Sequence, residues 1–306
     1  MLGSADEANP AMWKWLEAQY YLEALSSAWG AVVLGYAGFL VLERLVPAQR
    51  NPGIREFAAD VRANLVYFLL NPVALFLGGW LSSPAAWYLG GPQFRINLAA
   101  FGPGPVGGFL LALVPIFVFD LFYYWFHRFQ HEWSWLWEVH RLHHSEQVLN
   151  VTTNFRHHWL EEFFRAFFIV LPMNWLIRIG PASSAVAALL ISQWSSFFHA
   201  NIRVGLGPLT GLVTGPQYHR IHHSIESKHA GKNYAAFFPL WDWVFGTYWR
   251  PARGDWPETG LSDTNGIWGF REMVLSPFAG WWRTLRGASR LARTPRPKGT
   301  RAVVKQ

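Results

Sequence analysis

The sequence predicts an all-α protein: an integral membrane bundle of about four to five membrane helices, with a cytoplasmic helical cap that carries clustered histidines. The first observation is the composition, with 51% hydrophobic and only 15% charged residues. An average soluble domain carries about 25% charged residues. The second observation is a series of apolar stretches of bilayer length. The third is the confinement of all 12 histidines to one region of the chain.

The same composition excludes several classes of protein. Disorder requires low hydrophobicity, which this chain lacks. The absence of cysteine excludes a disulfide framework, thiolate metal sites and cysteine nucleophiles. The net charge is +7, but the basic residues lie beside hydrophobic stretches and near the C-terminus rather than in one run with interleaved aromatics. This pattern indicates orientation in a membrane and attraction to anionic lipid, and it argues against nucleic acid as a partner.

Five apolar stretches define the predicted helices, at roughly 24–46, 64–82, 106–126, 163–180 and 182–200. Pro72, Pro115 and Pro172 fall inside three of them, which membrane helices tolerate because neighbours satisfy the freed carbonyls. Gly180 and Pro181 separate the last two stretches into a helical hairpin, which either spans the bilayer or enters one leaflet.

The loops predict the orientation. The segment 47–63 contains three arginines, whereas 83–105 contains only Arg95. By the positive-inside rule the first segment is cytoplasmic and the second lies on the opposite side. The third helix then returns the chain to the cytoplasm near residue 127, and the hairpin brings it back to the same side near residue 201.

A glycine-rich patch at 102–108 matches the dinucleotide fingerprint G-x-G-x-x-G by letter only. That fingerprint needs a preceding strand and backbone N–H groups to hold a pyrophosphate. Here two positions are prolines without an N–H, and a membrane helix follows. The chain therefore has no credible nucleotide site.

Three spaced motifs contain eight of the histidines. His127 and His131 form H-x-x-x-H, and the H-x-x-H-H motif occurs twice, at His140, His143 and His144 and again at His219, His222 and His223. On a helix, residues i, i+3 and i+4 share one face, so we expect each motif to aim its imidazoles at one point. Eight imidazoles exceed the needs of one metal, which favours two neighbouring ions. Imidazole alone leaves iron, zinc, copper and nickel open.

The motifs HRFQH at 127–131, HRLHH at 140–144 and HRIHH at 219–223 resemble those of the fatty acid hydroxylase and sterol desaturase superfamily of membrane-bound di-iron oxygenases. The resemblance covers roughly 115–250. Further similar positions are Asp120, Tyr124, Trp125, Arg128, Ser145, Asn150, Arg156, His158, Glu161 and the segment WDWVFGT from Trp241 to Thr247. Trp159 and Ala235 depart from the common family pattern.

The resemblance implies two iron ions, O2 as co-substrate, a separate external electron donor and a membrane lipid substrate: a sterol, fatty acyl chain, carotenoid or ether lipid. Hydroxylation and desaturation both remain open. It also implies His199 as an additional metal ligand, and a division into N-terminal membrane helices with an interfacial segment (1–105), a hydroxylase-like catalytic domain (106–250) and a basic C-terminal tail (251–306). We expect the tail to be solvated, with a preference for lipid surfaces.

Four residues are expected to support the ligands. Asp120, on the helix face of His127, is predicted to accept a ligand N–H. His158 and Glu161 are predicted to orient ligands, and Asp242 to shape a turn that supports the last motif. His157 is predicted to be incidental, and His229 to be a polar loop residue that could border the site.

Two rival functions use the same histidines. A metal-binding or transport protein without redox chemistry would place its ligands near the bilayer midplane, whereas these motifs lie beyond the helix ends. A di-zinc hydrolase would need a carboxylate base within a motif, as in H-E-x-x-H. The chain without an appended electron-carrier segment favours a bacterial inner membrane, with the metal site facing the cytoplasm.

Overall fold

The fold is known from a computed structural model, which describes residues 30, 32–89, 94–95, 105–178 and 181–286. Nearly all the regular structure in these ranges is helical, in agreement with the predicted all-α class. The α-helices are α1 (32–45), α2 (Ile54–Tyr88), α3 (Pro105–Glu132), α4 (Ser134–His144), α5 (Leu160–Arg165), α6 (Leu171–Leu176), α7 (Pro181–His199), α8 (Pro216–His222), α9 (Leu240–Val244) and α10 (Phe270–Leu285). Short 3₁₀ turns cover Val151–Phe155, Gly207–Gly211 and Ser227–His229.

Two short strands are the exception to this helical architecture. β1 (Phe94–Arg95) and β2 (Ile177–Arg178) pair in parallel, with Phe94 opposite Ile177 and Arg95 opposite Arg178. They join the segment after α2 to the end of α6.

The helix α2 has the properties of a membrane helix. Among the described residues, only the portion Ile54–Ala85 is long and apolar enough to cross a bilayer, and just 28% of its most apolar window is buried. Leu69 is 71% exposed and Phe76 70%. The core helix of a soluble protein would bury such side chains, so this face is suited to lipid.

The predicted stretch 163–180 is helical as far as Leu176, with one irregular turn. The helical run comprises α5, a π-helical turn over Ala166–Val170, and α6. The helix α2 approaches this turn closely, since a Cβ on Gly78 would lie 2.8 Å from the Cβ of Ala166. A side chain at Gly78 would therefore force the two helices apart.

The histidine-bearing helices pack side by side. Helix α3 contacts both α4 and α7, and α7 contacts α8. An aromatic and aliphatic cluster around Phe126, Leu136 and Ile169 fills the space beside α3 and α4. A second cluster joins α2 to α4 through Ala63, Val66 and Leu142.

The segment predicted as a solvated tail is partly folded. Residues Phe270–Leu285 form α10, and Met273 is fully buried against α2 and α4. The prediction was wrong for this part because the basic residues dominate the composition, whereas Met273, Pro277 and Gly280 recur at helical spacing on one buried face. The residues from 287 onward lie outside the described residues.

Candidate metal centre

Nine buried or nearly buried histidines converge in the middle of the described structure. Their ring nitrogens form two sets, and within each set the donor atoms lie within 4.8 Å of one another. Group one consists of His127, His131, His140, His144 and His222, and group two of His143, His199, His219 and His223. These are the nine positions that the motifs and the resemblance single out.

The two H-x-x-H-H motifs divide between the groups in a crossed pattern. In α4, His140 and His144 belong to group one, whereas His143 belongs to group two. In α8 the assignment is reversed: His219 and His223 belong to group two, and His222 to group one. The expectation that each motif aims at one point was therefore wrong. Residues i and i+4 lie nearly above one another on a helix, whereas i+3 points to the other side of that line, so one motif serves two adjoining points.

Backbone carbonyls fix the tautomers of three histidines. The Nδ1 of His127 lies 2.7 Å from the carbonyl oxygen of Tyr234, and the Nδ1 of His222 lies 3.0 Å from that of Lys232. The Nδ1 of His199 lies 2.8 Å from the carbonyl oxygen of Ser195. A carbonyl oxygen only accepts, so each Nδ1 carries the proton and each Nε2 presents its lone pair to its group.

Several of the inward-facing nitrogens have no hydrogen-bond partner. In group one, the buried Nε2 atoms of His127, His131 and His140 have no hydrogen-bond partner. Buried polar atoms are normally satisfied, so three unsatisfied lone-pair positions in one place indicate a site for a cation.

The spacing of the nitrogens fits a metal ion. In group two, the Nε2 of His199 lies 3.0 Å from that of His219 and 3.3 Å from that of His143, and the Nε2 atoms of His219 and His223 are 3.0 Å apart. Two nitrogens that bind one ion at about 2.1 Å and at a right angle are about 3.0 Å apart. The imidazole donors suit iron, zinc, copper and nickel.

The burial of these histidines keeps them neutral, as metal ligands must be. Burial, followed by the proximity of His223 and His131, lowers the pKa of His144 well below its usual value. Burial lowers the pKa of His222 to about 3. Near pH 7 these imidazoles are therefore unprotonated and free to donate their lone pairs.

The two groups adjoin each other. The ring of His144 in group one stacks on that of His223 in group two, with centroids 4.2 Å apart and planes inclined by 15°. The rings of His140 and His143 are 5.2 Å apart. Two ions held by these groups would share one pocket rather than occupy separate sites.

Glu161 supports both groups, and this involves a histidine that sequence reasoning discounted. The Oε2 atom of Glu161 lies 3.4 Å from the Nδ1 of His140 and 3.0 Å from that of His157. His157 in turn stacks on His143 of group two, with centroids 4.3 Å apart and planes inclined by 12°. The spacing of His157 and Glu161, i to i+4 across the start of α5, was the available signal.

The charge of Glu161 is preserved despite its burial. Burial alone raises the pKa of this carboxyl, but the adjacent imidazoles of His157 and His140, which hydrogen-bond to it, outweigh burial and hold the pKa well below its usual value. An ionised carboxylate can only accept, so both Nδ1 atoms that face it carry protons. The Nε2 of His140 is thereby left as the donor to group one.

Asp120 has a different role from the one predicted. Its carboxylate accepts the backbone N–H groups of Ala236, Phe237 and Phe238, at 2.6 to 3.0 Å, and contacts no histidine. The ligand on its helix face, His127, bonds instead to the carbonyl of Tyr234 in the same loop. Asp120 therefore fixes the loop that orients His127, because the three N–H groups of this irregular, largely buried segment need an acceptor.

Asp242 organises the turn behind α8. Its carboxylate accepts the hydroxyl of Tyr218 at 2.7 Å and the backbone N–H groups of Tyr234 and Ala235 at 2.8 Å. Tyr218 precedes the first histidine of the last motif, so this bond fixes the start of that motif.

Two histidines predicted near the site lie outside both groups. The Nε2 of His158 donates to the carbonyl of Val274 in α10, and its Nδ1 accepts from the N–H of Leu160. His158 therefore fastens α10 to α5 and orients no ligand, contrary to the prediction. The Nδ1 of His229 lies 2.8 Å from the hydroxyl of Ser224.

A buried arginine connects the groups to α2. The guanidinium of Arg156 forms an ion pair with Asp60 at 2.6 Å and donates to the hydroxyl of Ser145 and the carbonyl of Leu142. It thus ties α2 to the end of α4, directly after His143 and His144.

Comparisons with known proteins agree with this geometry. Residues 112–247 match the fatty acid hydroxylase family. An alkylglycerol monooxygenase of Danio rerio is 35% identical over 129 residues, which are 42% of this chain and 28% of the relative. Ornithine lipid hydroxylase OlsE of Rhizobium tropici is 28% identical over 163 residues, which are 51% of this chain and 46% of the relative. Protein CER1-like 2 of Arabidopsis thaliana is 28% identical over 151 residues, which are 46% of this chain and 24% of the relative.

The chain thus spans less than half the length of these relatives. No solved structure matches it. The matched segment nevertheless contains every histidine of both groups, together with Glu161 and Asp242. By its matched sequence and its paired histidine groups, the region 112–247 belongs to the fatty acid hydroxylase family.

Proposed function

We propose that this protein is an O2-dependent membrane oxidoreductase that binds two iron ions in the two histidine groups and hydroxylates an unactivated C–H bond of a lipid. The observation that carries the proposal is the convergence of nine histidines into two adjoining all-imidazole groups. With five histidines in one group and four in the other, each ion would have fewer than six protein ligands.

The bound irons would supply the redox chemistry of oxygen activation. In hydroxylation, O2, two electrons and two protons are consumed, one oxygen atom enters the C–H bond as a hydroxyl, and the other leaves as water. The chain's own part is to hold the donors in place before the ions bind. Carbonyls of Tyr234 and Lys232 orient His127 and His222, and Glu161 orients His140.

The protein is membrane-associated, and we place it as a multi-pass protein with the metal centre at the cytoplasmic end of its helices. His127 follows the apolar part of α3, and His199 is the last residue of α7. Both groups therefore lie where apolar helices meet a polar cap. An apolar substrate chain could reach this depth from the bilayer without crossing water. The distribution of arginines supports a cytoplasmic location for this end, and we propose a bacterial inner membrane.

Electrons are proposed to come from a separate redox partner. The sequence contains no cysteine, so it cannot hold a cysteine-ligated iron–sulfur cluster. The matched region 112–247 carries no nucleotide fingerprint either.

We assign residues 1–105 to the N-terminal membrane helices and interfacial segment, 106–250 to the catalytic domain and 251–306 to a basic C-terminal segment.

The names of two relatives favour hydroxylation over desaturation. One is a monooxygenase of alkylglycerols and the other a hydroxylase of ornithine lipids. Both act on lipids with a polar head, and we propose a substrate of this general kind. A metal transporter is less compatible with donors at the ends of α3 and α7 rather than at mid-helix. A di-zinc hydrolase would need a free carboxylate, whereas Glu161 already accepts from two histidines.

The test combines metal content with isotopic labelling. Protein purified in detergent should contain about two irons per chain, as the two groups require. Lipids from cells that express it under isotopically labelled O2 should gain a single labelled oxygen, and cells that express a His143→Ala, His222→Ala variant should not. Zinc in place of iron, with no oxygen incorporated, would overturn the oxygenase assignment in favour of a hydrolase or a metal carrier.

A further inference from the structure

We infer that α10 is an interfacial helix that lies on the surface of an anionic lipid bilayer, beside the cytoplasmic end of α2. The inference rests on the association of the protein with membranes and is independent of the proposed oxygen chemistry. Helix α10 lies outside the region that matches the hydroxylase family.

Helix α10 has two apolar faces, of which the described residues cover only one. Met273, Pro277 and Gly280 are buried against the rest of the chain. On another face Leu275, Phe278, Trp282 and Leu285 recur at spacings of three and four residues, with Trp282 56% and Leu285 81% exposed. A surface helix in water normally carries charged residues at such positions, so this stripe calls for a second apolar surface.

The charges beside the stripe identify that surface as anionic lipid. Arg283 and Arg286 lie at its C-terminal end, and the guanidinium of Arg286 stacks over the ring of Trp282 at 4.4 Å. In the sequence, eight basic residues and no acidic residue follow Glu272. Basic residues near an anionic membrane are attracted to its headgroups, and an apolar stripe flanked by arginine and tryptophan is typical of helices that lie in the interface plane.

The position of α10 is compatible with this placement. Its Met273 packs with Ala63 and Val66, near the beginning of the apolar part of α2. The indole N–H of Trp281 donates to the carbonyl of Trp135 at 2.8 Å, and the rings of Trp133 and Trp135 stack beside it. Both tryptophans are partly exposed, so they extend the stripe into an aromatic belt of the kind found at the membrane–water boundary.

An open groove of about 1160 Å³ adjoins the stripe and offers room for a headgroup. Its walls include Arg141, Trp268, Arg271, Trp282 and Arg283. Of its three acidic residues, Asp263 pairs with Arg141 at 2.6 Å and Glu138 faces Arg283 at 3.9 Å. The third, Glu272, accepts the backbone N–H of Gly269. Arg271 lies on the same wall, at the start of α10. A lipid phosphate would meet arginine here, with its acyl chains along the stripe.

The absence of cysteine allows a direct test. Single-cysteine variants Trp282→Cys and Leu285→Cys, labelled with an environment-sensitive fluorophore, are placed in nanodiscs that contain phosphatidylglycerol. We expect blue-shifted emission, quenching by lipids brominated near the glycerol, and several-fold weaker quenching by aqueous iodide than for Arg253→Cys, in an exposed turn. Changing Arg283 and Arg286 together to Gln should return the iodide quenching towards that control.

Two results would overturn the inference. One is iodide quenching at both α10 positions that equals the Arg253→Cys control in these nanodiscs. The other is protection that appears only when an acidic ferredoxin is added, which would assign the surface to an electron donor. Metal content and monodispersity of each variant identify misfolding. The labelling result stands whether or not the protein oxidises a lipid, so it fails separately from the proposed function.

Discussion

At the scale of single residues, the assignment of each histidine to one of two groups has a measurable consequence. His143 belongs to group two and His222 to group one. We expect His143→Ala to weaken the binding of the ion in group two and His222→Ala that of the ion in group one. Membrane insertion should be unchanged in both variants. Metal analysis of the purified variants measures this directly. A full metal content in either variant would refute its assignment as a ligand.

His157 and His158 form a matched pair for a second test. His157 contacts Glu161 and His143, whereas His158 bonds only to backbone groups outside the site. Loss of a residue that orients metal ligands typically costs about 10-fold to 100-fold in metal affinity. We therefore expect His157→Phe to release metal to a chelator far more readily than the wild type does.

His158→Gln is the control for this comparison, because it alters a neighbouring imidazole of the same type without touching either group. Its metal retention should equal that of the wild type, although its thermal stability should fall. Equal metal retention in both variants would show that His157 is a structural residue only.

The sequence predicted which histidines lie together better than it predicted the residues that support them. Spacing and clustering mark His127, His131 and the two H-x-x-H-H motifs, because metal ligands must recur at helical intervals. Supports need no such pattern. Asp120 and His158 bond to backbone groups that are distant in sequence, and nothing in the neighbouring residues indicates those partners.

At the scale of elements, Asp120 links α3 to the loop before α9. Its carboxylate accepts three backbone N–H groups from Ala236 to Phe238. Replacing it by Asn keeps one acceptor oxygen and removes the charge, so we expect Asp120→Asn to lower the free energy of unfolding by about 2 kcal/mol. Thermal unfolding in detergent measures the effect. Metal loss without any change in stability would instead support a direct role in holding a ligand.

The apolar stretches predicted the helices well and their ends poorly. The stretch 64–82 is the centre of α2, which extends from Ile54 to Tyr88. The extensions are amphipathic or proline-containing, so hydropathy alone misses them. Helix α10 was missed for a related reason: its apolar residues lie on two faces and are interspersed with arginines.

At the scale of the whole molecule, the concentration of buried histidines makes stability depend on pH. Burial lowers the pKa of His222 to about 3 in the folded chain, compared with about 6.5 for an unperturbed histidine. Between these values the unfolded chain binds more protons than the folded chain. Stability is therefore fully present above pH 6.5 and falls as the pH drops, by about 1.4 kcal/mol per unit for one such residue.

We expect the melting temperature of the metal-free protein to fall steeply between about pH 6.5 and about pH 5. Because His144, His219 and His223 also have lowered pKa values, their contributions add to that of His222. The variant His222→Asn should show a shallower dependence, since one titrating group is removed. A melting temperature that is constant or rises on acidification would contradict the neutral, buried state of these side chains.

The crossed division of the two H-x-x-H-H motifs has a consequence for how the protein matures. Each ion would bind histidines of both α4 and α8, so binding of the first ion would also fix the histidines that bind the second. The occupancies of the two groups should then rise together when the metal-free protein is titrated with ferrous iron. Molecules that hold only one ion should be scarce. A cell short of iron would therefore accumulate protein molecules with two ions and molecules with none, rather than molecules with one.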